Sequence, residues 1–297
     1  MRRRVWLGLA LTGVAACRPA LDDRPWLIVE PRIVGWKAEP PEVSPGATVA
    51  LQVVAIDPAG PADTSATAWT LCRTPKPLAE NRPVAAECLA PSGADATGSP
   101  VTLAIPTDAC RLFGPDTPQP APGAPPTRPR DADTTGGYYQ PITFVFAGAR
   151  AVGLERVTCG LPDASFDVAR AFQSTYTPNK NPTIAGLTFT VDGAAADPTA
   201  IPRGAAVEVG ATWAPDAAEV FPVFDRASNR LLTTVEVLVG SWYVTGGELD
   251  LAAVEITDAS TSTTWIAPPE AGAFEIVFLL RDSRGGVGAA RADMVVK

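Results

Sequence analysis

The sequence predicts an all-β protein built from two β-sandwich domains in tandem, joined by a short linker that contains a helix. Short runs of Val, Ile, Thr, Phe and Trp are separated by Pro, Gly, Asp and Asn, whereas apolar residues at helical spacing are nearly absent. The 31 prolines and 25 glycines lie largely at the edges of those runs, where turns need them. At 297 residues, the chain is long enough for two domains.

The first 17 residues have the pattern of an export signal. Three arginines at positions 2–4 precede an apolar run from Val5 to Ala15, and Ala16 and Cys17 follow. The sequence Val-Ala-Ala-Cys at 14–17 resembles the lipobox of bacterial lipoproteins. That resemblance implies a signal peptide at 1–16 and a lipid on Cys17. An ordinary secretory signal with the same cleavage point is the alternative, whereas a membrane-spanning helix would need about 20 apolar residues.

The cysteine count favours the lipoprotein interpretation. Besides Cys17 the chain has four cysteines, an even number, as disulfides in an exported chain require. Their spacing contains no Cys-x-x-Cys pair, so disulfides are favoured over a zinc site. Three pairings are possible. We favour Cys72–Cys88 and Cys110–Cys159, because each bond would clamp loop-rich sequence that has little core of its own.

The first sandwich is predicted at residues 26–160, after a tether at 17–25. It opens with the strand that begins at 31–35, and its closing hairpin is predicted at 138–146 and 151–158. Between them lies an insertion at about 73–135, which includes a run with seven prolines in fifteen positions, 115–129. Such a run cannot continue a ladder of strands, so the insertion is predicted to be an irregular loop.

The linker is predicted at residues 161–182. The stretch Asp163–Gln173 begins with a possible N-cap and places Phe166, Ala169 and Phe172 near helical spacing. The sequence Pro-Asn-Lys-Asn-Pro at 178–182 then ends the helix, which predicts a stiff connection between the domains.

The second sandwich is predicted at residues 183–297, and it carries a weak repeat of the first. A Pro-Thr-Ile-Ala-Gly strand opening at 182–186 parallels Pro-Arg-Ile-Val-Gly at 31–35. Near its end come Trp-Ile-Ala-Pro at 265–268, Gly-Ala-Phe-Glu-Ile at 272–276 and Arg-Asp-Ser-Arg-Gly-Gly at 281–286. Together with the strand opening, this order resembles bacterial immunoglobulin-like and PKD-like modules. The resemblance implies β-sandwiches that serve as spacers or as surfaces that bind glycans or proteins.

Composition excludes several kinds of chemistry. The chain has no histidine, which rules out Ser-His-Asp and Cys-His relays and histidine zinc sites. Removing the three signal arginines changes the net charge from −8 to −8 − 3 = −11, so nucleic acid is not an expected partner. We expect no cofactor and no metal, although the Asp282–Gly286 turn could bind calcium; the simpler interpretation is a hairpin turn. Trp213, Trp242 and Trp265 are predicted to be core residues, whereas Trp26 and Trp36 are left open.

The function predicted from these features is a non-enzymatic, lipid-anchored protein of the cell envelope that presents its two sandwiches. Arg18 follows Cys17 where well-studied inner-membrane lipoproteins have aspartate, and by that resemblance the outer membrane is expected. The alternatives are a surface module that binds a cell-surface glycan or an envelope protein and, third, an enzyme acting on polysaccharide or peptidoglycan.

Overall fold

The computed structural model of the chain describes residues 24–75, 84–114, 122–123, 134–256 and 258–297. The predicted signal peptide, Cys17 and most of the tether lie outside the described residues, as does most of the proline-rich run. Within the described part of the chain, no helix is both long enough and apolar enough to cross a membrane. The fold is all-β, with two immunoglobulin-like sandwiches, as the sequence predicts.

The first sandwich is formed by two sheets, one antiparallel and one mixed, that enclose one apolar core. Among the described residues its strands are β1 (Arg32–Glu39), β2 (Glu42–Val43), β3 (Thr48–Ile56), β4 (Ala68–Leu71), β5 (Ala96–Thr97), β6 (Val101–Ala104), β7 (Gly137–Phe146) and β8 (Ala149–Thr158). The sheets have the orders β1-β3-β6 and β2-β8-β7-β4-β5, and β2 pairs with β8 in parallel. Two one-turn helices, α1 (Ala86–Leu89) and α2 (Ala109–Leu112), lie between the strands.

The predicted insertion at 73–135 needs a correction, because part of it belongs to the sandwich. Strand β6 pairs with β3 and forms the edge of the three-stranded sheet, and β5 pairs with β4. Leu103 of β6 is buried in the core. The run Val-Thr-Leu-Ala alternates as a strand should, but prolines at 100 and 106 flank it closely and hide it within loop-like sequence.

The linker contains α3 (Phe166–Thr175), which Ser165 precedes at the N-cap position. Phe172 is buried on this helix, where it packs with Leu161, Phe224 and Leu231. Phe166, which the sequence pattern placed on the same apolar face, is 78% exposed. It lies in the first turn of the helix, beyond the surface that Phe172 covers.

The second sandwich contains the longest strand of the described chain, which has 11 residues. Its elements are β9 (Ile184–Val191), β10 (Ala194–Ala195), a 3₁₀ turn (Pro198–Ala200), β11 (Ala206–Trp213), β12 (Val220–Asp225), β13 (Arg230–Val235), β14 (Leu238–Val244), β15 (Glu248–Leu249), β16 (Ala253–Ile256), β17 (Ser260–Ile266), β18 (Gly272–Asp282) and β19 (Val287–Val296). The sheet orders are β10-β9-β11-β17-β15 and β16-β14-β18-β19, while β12 and β13 pair with each other as a separate hairpin.

Both sandwiches share one strand arrangement. In each, the first two long strands and a later strand form one sheet, as in β1-β3-β6 and β9-β11-β17. The two closing strands pair with an earlier strand in the other sheet, as in β4-β7-β8 and β14-β18-β19. This division matches the A-B-E and C-F-G sheets of immunoglobulin-like sandwiches. The cores are rich in aromatic residues, with Trp69 and Phe144 in the first and Trp242 and Phe278 in the second.

Candidate functional site at the junction of the sandwiches

The two sandwiches pack face to face. Alternation in β3 points Val49, Leu51 and Val53 into the first core, while Val54 and Ile56 point outward. These outward residues form an apolar cluster with Val277 and Leu279 from the outer face of β18. A side chain at Gly35 would approach Leu279 Cδ1 to 3.0 Å, so the two backbones meet closely there. The junction is therefore a true apolar interface between sheets.

A short N-terminal strap, residues 24–28, binds the second sandwich before the chain enters the first. Leu27 forms a parallel bridge with Val244 at the end of β14. The Val244 N–H donates to Trp26 O over 3.0 Å, and the Ile28 N–H donates to Val244 O over 2.9 Å. Trp26 is buried in the core of the second sandwich. The prediction that the first sandwich begins at residue 26 is therefore wrong for the strap. The strap pairs instead with backbone groups at the end of β14 in the second sandwich.

Arg284 is the centre of a buried ionic cluster on the second sandwich. Its side chain is 2% exposed, and its Nε lies 2.6 Å from Glu236 Oε1. Its Nη2 lies 2.8 Å from Glu219 Oε2, and the guanidinium stacks over Phe221 at 4.6 Å from the ring centroid. Glu219 and Glu236 precede β12 and follow β13, so the base of the β12–β13 hairpin holds Arg284 on two sides.

Glu42 forms the matching cluster on the first sandwich, and Tyr176 connects the two. Glu42 Oε1 lies 3.2 Å from Arg156 Nε, and Glu42 is completely buried. The Tyr176 hydroxyl donates to Glu42 Oε2 over 2.6 Å. The same hydroxyl oxygen accepts from Arg156 Nη2 over 3.3 Å and from Arg284 Nη1 over 3.2 Å. One hydroxyl on the linker therefore joins charged groups from both sandwiches.

Two asparagines extend this contact along the linker. The Asn179 N–H donates to Glu42 Oε2 over 2.9 Å, and its side-chain amide donates to Asp282 Oδ1 over 3.2 Å. Asn181 Nδ2 donates to Ala38 O over 2.6 Å, while its Oδ1 accepts from the Val287 N–H over 2.7 Å. Each asparagine is therefore hydrogen-bonded to both sandwiches.

The Asp282–Gly286 turn, where the sequence left a calcium site open, uses its carboxylate within the protein. Asp282 Oδ1 accepts from the Arg284 and Gly286 N–H groups, each over 2.8 Å, in addition to Asn179. In the described residues, no group of three or more acidic, cysteine or histidine side chains is arranged to hold a metal ion. Geometry at Asp282 is that of a hairpin turn.

Burial changes the protonation of this region. It raises the pKa of Tyr176 to about 12, so its hydroxyl stays protonated and able to donate. Burial, and secondarily the charge of Asp282, raises the pKa of Glu236 as well, although Arg284 counteracts this. These carboxylates and guanidiniums are shielded from water, which makes each partner necessary to the others.

Glu155 is a buried carboxyl group that the sequence did not single out. Burial, followed by the charge of Glu42, raises the pKa of Glu155 to about 9. Its register partner across β7 and β8 is Gln140, and both side chains are buried. Gln140 Nε2 donates to Cys72 O over 2.6 Å, while Gln140 Oε1 and both Glu155 oxygens have no hydrogen-bond partner among the described residues. A carboxyl so enclosed between two sheets does not face a substrate cleft.

The remaining predicted residues have structural positions. Disulfides join Cys72 to Cys88 and Cys110 to Cys159, the pairing that the sequence analysis favoured. The first ties α1 to the end of β4, and the second ties α2 to the end of β8. The three tryptophans predicted to be core residues are buried: Trp213, Trp242 and Trp265. Trp36 is partly buried beside Phe144.

An open groove of about 800 Å³ runs along one end of the junction. The loop at 57–62 after β3 lines one wall, and Phe274, Glu275 and Arg291 line the other. Arg291 donates to Glu275 Oε1 over 2.8 Å and to Ala55 O over 2.7 Å, so its charge is already engaged. No buried polar group points unsatisfied into this groove among those described.

Comparison with known proteins adds little to this geometry. No family model matches the chain, and no curated protein matches its sequence. Among solved structures, the D00–D0 domain of intimin is 11% identical with a TM-score of 0.25, covering 91% of this chain and 100% of that chain. Fibronectin(III)-like modules of Clostridium thermocellum CbhA are 12% identical with a TM-score of 0.27, covering 89% and 94%. Yersinia pseudotuberculosis adhesin InvE is 10% identical with a TM-score of 0.20, covering 88% and 58%.

Similarity at this level carries no argument about what the chain does.

The junction cluster is a feature of this chain's own residues, and sequence reasoning missed it. Glu42, Arg156, Tyr176 and Arg284 are far apart in the sequence and lie in segments that look like ordinary strands and turns. One available signal was the pair Gly136-Gly137 at the start of β7. A side chain at Gly137 would collide with the Arg156 guanidinium, and one at Gly136 would collide with the Phe172 ring, so each glycine leaves room for a different buried side chain.

Proposed function

We propose that this chain is a lipid-anchored protein of the cell envelope whose two sandwiches form one rigid body, presented close to the membrane. The observation that carries this proposal is the locked junction. Charged side chains from both sandwiches share one buried network around the Tyr176 hydroxyl of the linker. A chain that only needed two independent modules would have no use for such a network between them.

The position of the strap supports the presentation role. Trp26 is buried in the second sandwich only nine residues after Cys17 (26 − 17 = 9). From Cys17 to Arg24, the first described residue, there are seven residue steps, which span at most about 25 Å when fully extended. A lipid on Cys17 would therefore hold the folded body close to the bilayer surface. Acyl chains contribute about 0.8 kcal/mol per buried methylene, and two or three of them give stable anchoring.

The anchor is tested by replacing its proposed attachment residue. We expect Cys17→Ser to abolish incorporation of labelled palmitate and to move the protein out of the membrane fraction, because serine offers no thiol for the lipid. Thr12→Ser, a conservative change within the same signal, serves as the control and should leave both readouts unchanged. A Cys17→Ser protein that still incorporates palmitate and sediments with membranes would contradict the proposal. Separate fractionation of the two envelope membranes tests the expected outer-membrane address.

A second candidate function is binding of a partner at the cell surface. The observation that favours it is the outer edge of strand β13, which pairs with no other strand of the described chain.

A further inference from the structure

The β12–β13 hairpin joins neither sheet of the second sandwich. It is inserted between β11 and β14, and both sheets of the second sandwich are complete without it. Its base holds Arg284 through Glu219 and Glu236. One of its faces packs on α3 through Phe224 and Leu231. These contacts involve the base and one face of the hairpin, and none of them involves the outer edge of β13.

The register shows which backbone groups lie on that edge. The Phe224 N–H donates away from β13, to Thr134 O over 2.7 Å, so Phe224 and its register partner Leu231 form a pair without mutual hydrogen bonds. The same then holds two residues on for Pro222 and Thr233, and Pro222 has no N–H to offer. Consequently, the N–H and C=O groups of Leu231, Thr233 and Val235 point outward. In the described chain, only β12 pairs with β13.

The side chains along this edge are apolar or uncharged, and they are exposed. Leu232 is 54% exposed and Val235 is 55% exposed. The described chain has ten exposed large apolar side chains, and half of them lie within residues 220–239: Val220, Leu232, Val235, Val237 and Val239. From Leu231 to Val235 the strand has no charge and no proline, and its register with β12 runs through six pairs without a bulge. Charged residues, prolines and bulges are the features that usually protect natural edge strands from pairing with another chain.

We propose that the free edge of β13 binds an extended peptide segment of a partner protein by strand addition. Outward N–H and C=O groups at strand spacing are satisfied together only by another extended backbone, which fixes the conformation of the occupant. The exposed Leu232 and Val235 lie on opposite faces of the hairpin, so the added strand would place apolar side chains on both faces. This proposal is independent of the lipid anchor.

Interface size argues for a peptide rather than a second copy of the chain. A strand of six residues presents an edge about 20 Å long and about 10 Å deep. This is on the order of 200 Å², whereas a stable protein–protein interface buries about 800 Å² on each partner. Two β13 edges placed together would therefore fall well short of the area that a stable dimer needs.

The test uses a pair of variants at the centre of the edge. Thr233→Pro removes the outward N–H and fills the edge with the proline ring, yet it breaks no bond to β12. Proline is tolerated at such outward positions of edge strands, as Pro222 directly opposite shows. Thr233→Val keeps the N–H and a side chain of similar shape, so it is the matched control. Val235→Lys, at an exposed position, is a second blocking variant that does not depend on proline.

The probe is a phage-displayed library of random 12-residue peptides, panned on the full chain purified from the host envelope in detergent. We expect enriched peptides with apolar residues at alternating positions, whose synthetic versions bind at least about tenfold more weakly to Thr233→Pro and Val235→Lys. A tenfold loss corresponds to about 1.4 kcal/mol, comparable to one main-chain hydrogen bond. Binding to Thr233→Val should remain within about threefold, and near-UV circular dichroism should be the same for all variants.

Three results would overturn the proposal. The first is a library that yields no binding peptide, and the second is a set of peptides that bind the blocking variants as well as the original chain. The third is a concentration-dependent dimer in sedimentation that Thr233→Pro abolishes, since the occupant would then be a second copy. Loss of the anchor in Cys17→Ser affects none of these readouts, so the two proposals fail separately.

Discussion

At the scale of single residues, folding buries Glu155 and raises its pKa, although the neighbouring sequence does not predict this. Its neighbours Leu154 and Arg156 alternate with it in an ordinary strand, and a glutamate there would be expected on the solvent face. In the fold the strand points Glu155 into the first core, opposite Gln140. Gln140 Oε1 and both Glu155 oxygens are buried without hydrogen-bond partners among the described residues, and burial raises the pKa of Glu155 to about 9. A protonated Glu155 is therefore the form that fits this core.

The raised pKa of Glu155 makes a prediction about stability and pH. Because the folded chain holds the proton up to about pH 9 while the unfolded chain releases it near 4.5, stability should fall as pH rises between those values. Glu155→Gln cannot ionise and should be more stable than the original chain by an amount on the order of 3 kcal/mol at pH 7. Urea unfolding at pH 5, 7 and 8.5 measures this.

The difference between Glu155→Gln and the original chain should grow from pH 5 to pH 8.5. Glu248→Gln, at an exposed position, is the control and should show no such growth. Some pH dependence should persist in Glu155→Gln, since the pKa of Glu236 is raised too. A stability difference that stays constant across this pH range would contradict the assignment of a neutral, buried Glu155.

At the scale of elements, the strap and the hairpin are the two pieces that depart from a plain tandem of sandwiches. The strap occupies the part of β14 that β16 leaves unpaired, because β16 pairs only as far as Ser241. Trp26 then fills space in the second core. A strap that precedes the first sandwich in sequence thus completes the second one, and the two cannot fold with complete independence.

The contacts of the strap predict that a substitution at Trp26 destabilises the second sandwich, although the sequence assigned this residue to the first. Trp26→Ala should lower the free energy of unfolding by about 3–5 kcal/mol, the usual cost of deleting a buried aromatic side chain. The effect should reach the second sandwich, with faster hydrogen exchange at 238–244 in β14, where the Val244 N–H donates to Trp26 O. Trp26→Phe, which keeps an aromatic ring, should show a smaller change. Unaltered exchange in β14 for Trp26→Ala would be inconsistent with the strap as described.

At the scale of the whole molecule, the two sandwiches and the linker meet in one junction. The apolar cluster around Val54 and Leu279 lies on one part of the interface. The ionic network around Arg284 and Glu42 joins the sandwiches through the linker. An interface with a buried apolar patch and buried, paired charges resists relative motion of its two sides more than the polar contacts usual between domains.

We expect the original chain to unfold in a single transition by fluorescence and circular dichroism, and Arg284→Ala to be less stable by about 3–5 kcal/mol. The reason is that removing Arg284 leaves the buried Glu236 without its ion-pair partner, whereas the partly buried Glu219 still has Lys180 beside it. Arg203→Ala, at an exposed position, is the control for loss of an arginine and should change stability by less than about 0.5 kcal/mol. An Arg284→Ala protein as stable as Arg203→Ala would mean that the network does not couple the sandwiches.

Local pattern was enough for the general plan of this protein. The alternating run Val207–Val209 predicts a strand because the side-chain period of a strand is two, and the long apolar run Phe274–Leu280, bounded by glycine-containing turns, predicts a buried strand. Breakers at 178–182 predict the end of the linker helix, and the order of motifs near the C-terminus predicts an immunoglobulin-like sandwich. The strands of the second sandwich lie where that pattern places them.

Contacts between residues far apart in the chain were decided only by the tertiary structure. The destination of Trp26 depends on an unpaired stretch of β14 more than 200 residues later, since 244 − 26 = 218. The packing of the sheets against one another likewise determines three other features. They are the burial of Glu155, the partners of Arg284 and the exposed edge of β13. The physical reason is that period and turn chemistry are local properties, whereas desolvation and pairing are set by what packs on the other side. The sequence by itself determined two sandwiches and a linker, and the packing of their faces determined that they form one body.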